Sequence, residues 1–308
     1  YPDYIIPVFT CQLAHDGANH EKKLVGKKQI EVKLDGVRVI AILYKDKRPE
    51  VFSRNGKQFH NFEHIVDQLA HVVQTYGIGT DMILDGEVMS SSFQDLMKQV
   101  HRKTNVQSDD AILHCFDMIT LEEFQQGGSL RPQHERSQEL DSWIEKHAPE
   151  IPHVATLTWE DVDLDTEQGQ ATLKQINKQA IDGGYEGIMI KDPNAGYECK
   201  RSHSWLKMKP FIEVTLEVVD VEEGTGRNAG RLGALICKGE DDGLSINVNC
   251  GSGFTDSDRD SFWNNRAKLN GRLVEVRADA ITQNQDQTYS LRFPRFKGFR
   301  GFEPGEKI

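Results

Sequence analysis

Lys33 stands between two carboxylates in the stretch EVKLDGVR, residues 31–38. Ile30, Val32 and Leu34 alternate with Glu31, Lys33 and Asp35, the period-two pattern of a strand with one face on a core. The other face then reads acid, base, acid, and the strand runs into Gly36 and Arg38. Such a triplet is either a solvated strand face or a lysine held in place to act as a nucleophile. A lysine attacks only through a neutral amine, which requires neighbouring positive charge or desolvation. Lys207 and Lys209, alternating on one face of WLKMKP, are placed to supply that charge or to neutralise a phosphate under attack. Each of them, taken alone, reads equally well as a surface lysine.

The surrounding pattern defines the elements that must position these groups. QIEVKLDGVRVIAILY and EVFSRNGK read as strands joined by the turn KDKRP, with a second turn at Asn55-Gly56. Residues 61–77 form the clearest helix: Asn61 as cap, an apolar stripe of Phe62, Ile65, Val66, Leu69, Val72, Val73 and Tyr76, and Gly77 as terminator. The strand MILDGEVM follows, then an amphipathic helix with Phe93, Leu96, Met97 and Val100 on one side. AILHCFDMI has the length and branching of a buried strand. Helices are predicted at about 133–147 and 166–182, and strands in YEGIMIKDP and SWLKMKP. After Pro210 the texture changes to five short alternating segments, VTLEVVDVEE, LGALICKG, LSINVNC, RLVEVRADAI and YSLRF, with one helical stretch, SDRDSFWNNRAKL. That suits a small Greek-key barrel of the OB type and places a domain boundary near Pro210, giving domains 1–210 and 211–308.

Composition narrows the class. The 308 residues are 37% hydrophobic and 28% charged, a globular balance, with no run long enough for a membrane span and no signal-peptide pattern. The first residue, Tyr1, suggests trimming or processing. The five cysteines are scattered, odd in number and lack CxxC spacing, which argues against zinc and against a disulfide framework, and for a reducing, cytoplasmic setting. The net charge of −11 opposes a nucleic-acid partner on average. Charge is local, however: KRSHSWLKMKP (200–210) and RFPRFKGFR (292–300) each carry four Lys or Arg side chains and no acid.

The order of motifs is informative. KLDGVR (33–38), FSRNGK (52–57), LDGEV (84–88), FDMI (116–119), EGIMIK (186–191) and WLKMK (205–209) follow one another on predicted strands, ahead of a barrel-like region. That succession resembles the covalent nucleotidyltransferases, the polynucleotide ligases and mRNA capping enzymes, over residues from about 30 to 300. GTGRNAGRLGAL, GSGFTD and LRFPRFKGFR are most similar to ATP-dependent DNA ligases, and the short lead-in before Lys33 matches the compact two-domain ligases of bacteriophages and some bacteria. The resemblance implies an α+β fold, with an ATP-grasp-like nucleotidyltransferase (adenylation) domain followed by a C-terminal OB-fold barrel. It implies ATP as AMP donor, Mg²⁺, nicked duplex DNA as partner, a monomer, and a bacterial or phage-infected cytoplasm.

The resemblance also implies roles. Lys33 would carry AMP; Arg38 and Arg54 would contact the ribose or the nick phosphates. Glu87 and Glu186 would hold Mg²⁺ or ribose hydroxyls. Phe116 would stack on adenine with Glu31 beside its edge, while Trp205 reads as core. Lys191, Lys207 and Lys209 would bind the α-phosphate. Arg295, Lys297 and Arg300 would orient pyrophosphate, and Arg227 and Arg231 would bind DNA. One departure stands out: the family's final arginine with an Asp-Lys pair is matched here by RGFE at 300–303, leaving Lys297 or Lys307 to replace the missing lysine. A GTP-using capping enzyme, an RNA ligase and a non-catalytic OB-type DNA-binding protein are the competing readings. A NAD-dependent ligase would bring an added nicotinamide-binding domain and a cysteine zinc site.

Overall fold

Lys33 closes one strand and Val37 opens the next, and these two strands belong to different sheets. The protein is seen in a computed structural model that describes residues 9–90 and 107–300. The helix predicted around Phe93–Val100, and Lys307, lie outside the described residues. The chain divides into two compact units, Tyr1–Met208 and Lys209–Ile308.

In the first unit the strands are β1 (Leu13–Asp16), β2 (Lys27–Lys33), β3 (Val37–Leu43), β4 (Glu50–Phe52), β5 (Met82–Met89), β6 (Ile112–Thr120), β7 (Gly128–Ser129), β8 (Val154–Thr156), β9 (Trp159–Asp163), β10 (Gly187–Lys191), β11 (Tyr197–Glu198) and β12 (Arg201–Met208). One sheet is ordered β1-β12-β10-β2-β9 and the other β4-β3-β5-β6-β8, with β7 and β11 pairing separately. The helices are α1 (Glu63–Tyr76), α2 (Leu121–Gln125), α3 (Gln133–His147) and α4 (Glu167–Asp182). Three apolar layers result. Val39, Ala41, Leu43 and Leu84 pack with Leu69 and Val72 of α1 and Leu140 and Ile144 of α3. Ile30, Ile188, Ile190 and Leu206 pack with Leu173 and Ala180 of α4. Between the sheets, Ile40, Ile42, Ile83 and Ile119 meet Tyr197 and Trp205. VRVIAIL is apolar on both faces because both faces are covered.

Helix α1 starts later than its sequence suggests. Its N-cap is Phe62, which makes no side-chain capping bond, and Tyr76 is exposed. Asn61 is buried instead, with its carbonyl accepting the Ser108 N–H at 2.9 Å. A missing cap costs about 1 kcal/mol. Each buried aliphatic side chain is worth about 1.5–3 kcal/mol, and Ile65, Val66, Leu69, Val72 and Val73 are all buried, so packing outweighs the absent cap. Gly77, at φ +72°, ends the helix as predicted.

The second unit holds β13 (Ile212–Glu223), β14 (Leu232–Asp241), β15 (Leu244–Cys250), β16 (Leu273–Ala278), β17 (Ala280–Gln283), β18 (Tyr289–Arg292), β19 (Arg295–Phe299) and the helix α5 (Asp256–Asn264). They form one curled sheet, β17-β18-β15-β14-β13-β16-β19, around Val214, Leu216, Leu235, Ile246, Val248, Val274 and Val276. Register shifts at Val218/Asp220 and Glu222/Glu223 bend the long strand β13 and help the sheet curl. Thr255 and Asp258 cap α5 reciprocally. The sequence predicts five strands here; the described residues form seven. RLVEVRADAI divides at Asp279, and an additional strand, Arg295–Phe299, follows YSLRF beyond Phe293, whose φ of +51° breaks the extended run, and Pro294.

Candidate active site

The charged face of β2 is an inter-sheet face, not a solvated one. In register, Glu31 lies opposite Met189, Lys33 opposite Gly187, Lys191 opposite Trp205 and Met189 opposite Lys207. Ile30, Ile188, Ile190 and Leu206, on the alternate face, are under α4. Period two therefore turns Glu31, Lys33, Lys191, Trp205 and Lys207 toward the second sheet. Glu31 is only 4% exposed, which rules out a solvated triplet. Lys33 keeps a side chain 23% exposed, and its Nζ lies 3.1 Å from Oε2 of Glu186, which is 5% exposed. Glu186 directly precedes β10, so the same strand pairing that aligns Gly187 with Lys33 brings the carboxylate to the amine.

The LDG turn that follows is held tightly. The Gly36 N–H donates to Oε2 of Glu87 at 2.9 Å. A Cβ on Gly36 would sit 2.2 Å from the Val88 carbonyl oxygen, and one on Gly86 would sit 2.4 Å from that of His114. Both LDG glycines are therefore close-approach positions. Arg38 lies opposite Glu87 in the β3–β5 pairing but gives its guanidinium to Asp85, with both bonds at 2.6 Å, and to the Gln12 carbonyl at 2.9 Å. The sequence expectation sends Arg38 to ribose or phosphate; the structure commits it to Asp85 and to the site floor, because the LDG aspartate faces it across the sheet.

Phe116 sits at the centre of that floor. The Arg38 guanidinium lies 5.1 Å from its ring centroid, the Lys191 ammonium 4.9 Å, and Trp205 meets it edge-on at 5.7 Å. Lys191 is buried, ion-pairs with Glu31 and donates to the Phe116 carbonyl at 3.2 Å. Burial raises the Glu31 pKa above the usual carboxylate value, and Lys191 opposes that rise. Lys191, expected at a phosphate, thus holds Glu31 in place because both side chains are removed from water together.

Two further groups behind the floor are not assigned by the sequence reading. Asp85 accepts from Tyr197 at 2.6 Å as well as from Arg38. Asp117 accepts from the Arg136 Nε at 2.9 Å and Nη2 at 3.1 Å, from Gln133 at 3.1 Å and from the Met118 N–H at 2.9 Å. The Trp205 indole donates to Gln133 at 2.8 Å, which ties the two sheets together. The signal for these groups lies inside the motifs themselves: Asp85 is the LDGEV aspartate and Asp117 follows Phe116 in FDMI. Their partners, Tyr197, Arg136 and Gln133, sit in segments without any motif.

The remaining candidates fall into three groups. Arg54 lies in the turn closed by the Ser53 N–H to the Lys57 carbonyl at 2.7 Å. Lys207 lies on β12 between Asp16 of β1 and Met189 of β10. Lys209 falls in the second unit, where it ion-pairs with Glu213. In that unit Arg277 and Lys297 also reach Glu213, at 3.1 and 2.9 Å, and Lys297 and Arg300 reach Glu275. The Glu213 and Glu275 side chains are 8% and 4% exposed. Strand pairing explains the cluster: β13 and β16 align Glu213 with Arg277, and β16 and β19 align Glu275 with Gly298. Arg295 pairs with Asp279 at 3.0 Å, Arg227 with Asp256 at 3.1 Å, and Arg231 with Asp256 and Asp260 at 3.2 and 2.9 Å.

Among the described residues no helix is long and apolar enough to cross a membrane. The ATP dependent DNA ligase domain family matches residues 11–209, and the DNA ligase OB-like domain family matches residues 223–300. The chain is 31% identical over 303 residues to a DNA ligase of Haloarcula marismortui, covering 88% of this chain and 51% of that protein. It is 28% identical over 310 residues to a DNA ligase of Methanococcoides burtonii, covering 90% and 52%. The chain thus spans about half the length of these curated relatives. A solved structure named Pmar-Lig_PreS3 is 59% identical, with a TM-score of 0.69 over 98% of this chain and 70% of that one. The ATP-dependent DNA ligase of bacteriophage T7 in complex with ATP shares the fold at 18% identity and a TM-score of 0.55, over 95% of this chain and 99% of that one. The chain therefore belongs to the ATP-dependent DNA ligase family, with a nucleotidyltransferase domain followed by an OB-like domain.

Proposed function

We propose that the protein seals nicks in duplex DNA with ATP, through an AMP carried on Lys33. The observation that carries this reading is the Lys33 Nζ 3.1 Å from Glu186 where the chain passes between two sheets. Glu186 receives the ammonium proton, and the freed lone pair attacks the α-phosphorus of ATP. The bond to the β-phosphate breaks and pyrophosphate leaves with its electron pair. An oxygen of the DNA 5′-phosphate next attacks the same phosphorus, and the P–N bond breaks as lysine regains a proton. The 3′-hydroxyl then gives its proton to solvent and attacks the 5′-phosphate, whose P–O bond to AMP breaks as AMP leaves with the electron pair. Phe116 stacks on adenine beside Glu31, with Arg38 and Lys191 fixing the ring. Lys207 and Arg54 face phosphates, Arg38 and Lys191 reaching them only by exchanging Asp85 and Glu31.

Glu87 would hold Mg²⁺, and Glu186 would join it only after passing the Lys33 proton on to solvent. The fit is chemical: Mg²⁺ binds through one or two carboxylates plus substrate phosphates, and these two acids flank the segment from Lys33 to Gly36. Bound there, the ion neutralises charge on the phosphates. Glu186→Gln keeps the shape and loses the proton acceptor, so enzyme adenylylation is expected to slow by about 10²–10⁴-fold, measured by single-turnover labelling with ATP. An unchanged rate would remove Glu186 from the step.

In the second unit Arg227, Arg231 and Arg295 sit in exposed pairs worth about 0–1 kcal/mol each, weak enough to exchange for DNA or pyrophosphate oxygens. Replacing both Arg227 and Arg231 with alanine is expected to flatten the salt dependence of nicked-DNA binding by about 0.9 per lost contact. An unchanged slope would move DNA recognition elsewhere. Lys209, Lys297 and Arg300 can reach ATP only by leaving Glu213 and Glu275. Arg300→Ala is expected to slow adenylylation by at least about tenfold, the scale of one lost charge-assisted bond, and to slow sealing of a pre-adenylylated nick less. The reverse ranking would assign this segment to DNA. Incubation with labelled ATP or GTP and a denaturing gel tests the function itself: retained ATP label supports a ligase, retained GTP label a capping enzyme, and no retained label a non-catalytic protein. We further propose that the protein acts as a monomer.

A further inference from the structure

Outside the site described above, three histidines, two from strands β1 and β12 and one from the turn after β1, meet at the edge of the first sheet. His15 and His203 stack with centroids 3.8 Å apart and planes 7° apart. His20 stands edge-on to both, at 5.0 and 4.4 Å. The backbone is arranged to produce this meeting. The parallel pairing of β1 with β12 steps from Ala14–Ser202 directly to His15–Leu206, so β12 bulges at residues 203–205 and returns His203 over His15. His20 is delivered by a tight 3₁₀ turn in which its N–H donates to the Gly17 carbonyl at 3.1 Å, while Asp16 accepts from the Ala18 N–H at 3.0 Å.

We propose that His15, His20 and His203 bind a transition-metal ion of the zinc type, which pins the 13–24 segment to the strand bearing Lys207. Each histidine offers a ring nitrogen, and the three nitrogens lie within 4.8 Å of one another. Three points that close have a common centre no more than about 2.8 Å from each, against a zinc–imidazole bond of about 2.0–2.1 Å. The His15 and His203 rings stack nearly parallel, so at least one must turn out of the stack for both in-plane lone pairs to meet at one ion. Imidazole donors select Zn²⁺, Cu²⁺ or Ni²⁺ and reject hard cations such as Mg²⁺, so this site does not compete for the ion proposed at Glu87 and Glu186. Three protein ligands leave a fourth position for water or an external ligand. Three protonated imidazoles at these separations would repel one another, whereas three neutral ones present their lone pairs to a metal. His15 directly precedes Asp16, the register partner of the proposed phosphate-binding Lys207, so the site and that lysine share the β1–β12 pairing.

The test uses the full chain without an affinity tag, stripped with a chelator and dialysed against Zn²⁺ in the presence of excess Mg²⁺. His203→Ala and His20→Ala are compared with the parent, and Co²⁺ absorption reports the geometry. His203 is exposed, and matching thermal unfolding of the metal-free proteins checks folding, with His203→Gln as a second, gentler variant. The expected result is a single equivalent of Zn²⁺ untouched by Mg²⁺, intense tetrahedral Co²⁺ bands, and affinity reduced by at least about 100-fold in each variant. Failure to retain Zn²⁺, or retention unaltered in either variant, would overturn the site and leave a ring cluster without an ion.

Discussion

Replacing Lys33 with alanine is expected to remove covalent AMP labelling and to reduce sealing of an ordinary nick by about 10⁴-fold or more, the scale on which loss of a covalent nucleophile is felt. The fold should survive, since the side chain ends at the mouth of the site with its Nζ on Glu186 and not in any apolar layer. Sealing of a nick already adenylylated at its 5′ end should persist, because that step begins after the lysine has finished its work. The pairing of these two assays separates loss of the nucleophile from general damage. Equal loss in both would mean that Lys33 supports the site without forming the P–N bond.

Asp117→Ala is expected to cost the first unit about 3–5 kcal/mol of stability, read as a lower urea midpoint. Asp117 and Arg136 are both fully buried, and removal of the carboxylate leaves the guanidinium without its counter-charge. The Arg136 bonds to the Ala195 carbonyl and Gln133 remain but carry no opposite charge. Joint replacement, Asp117→Ala with Arg136→Met, should recover most of the loss, since two apolar groups leave no orphan charge. Because Asp117 adjoins Phe116, the single variant should also weaken ATP binding while the fold persists. A single variant as stable as the parent would show that the buried pair contributes nothing net.

These two residues mark what a sequence reveals and what it hides. Lys33, Glu186, Phe116 and Glu87 sit in short motifs on strands whose period is plain, so both their strands and their faces are legible. The burial of Glu31 is not, because an acid-base-acid face looks the same whether water or a second sheet covers it; only the pairing of β2 with β10 decides. The Asp85 bond of Arg38 is hidden for a similar reason: a guanidinium fork suits phosphate and carboxylate equally, and Asp85 lies 47 residues further along the chain. The Asn61 cap fails because Phe62 is buried against the core, which moves the helix start past it. In the second unit the strand count is underread at Asp279, a single residue between two strands, and at Phe293-Pro294, with no glycine to announce either break. His15, His20 and His203 carry no spacing signal, since a bulge in β12 is what brings the third to the first two.

The most direct measurement of the central claim is peptide mapping of the protein after reaction with ATP and Mg²⁺ under conditions that preserve phosphoramidates. AMP is expected on the peptide containing Lys33 and on no other, and released as DNA-adenylate when nicked duplex is added. AMP on a different residue, or on Lys33 but not transferable to a 5′-phosphate, would contradict the assignment of Lys33 as the group that carries AMP from ATP to DNA.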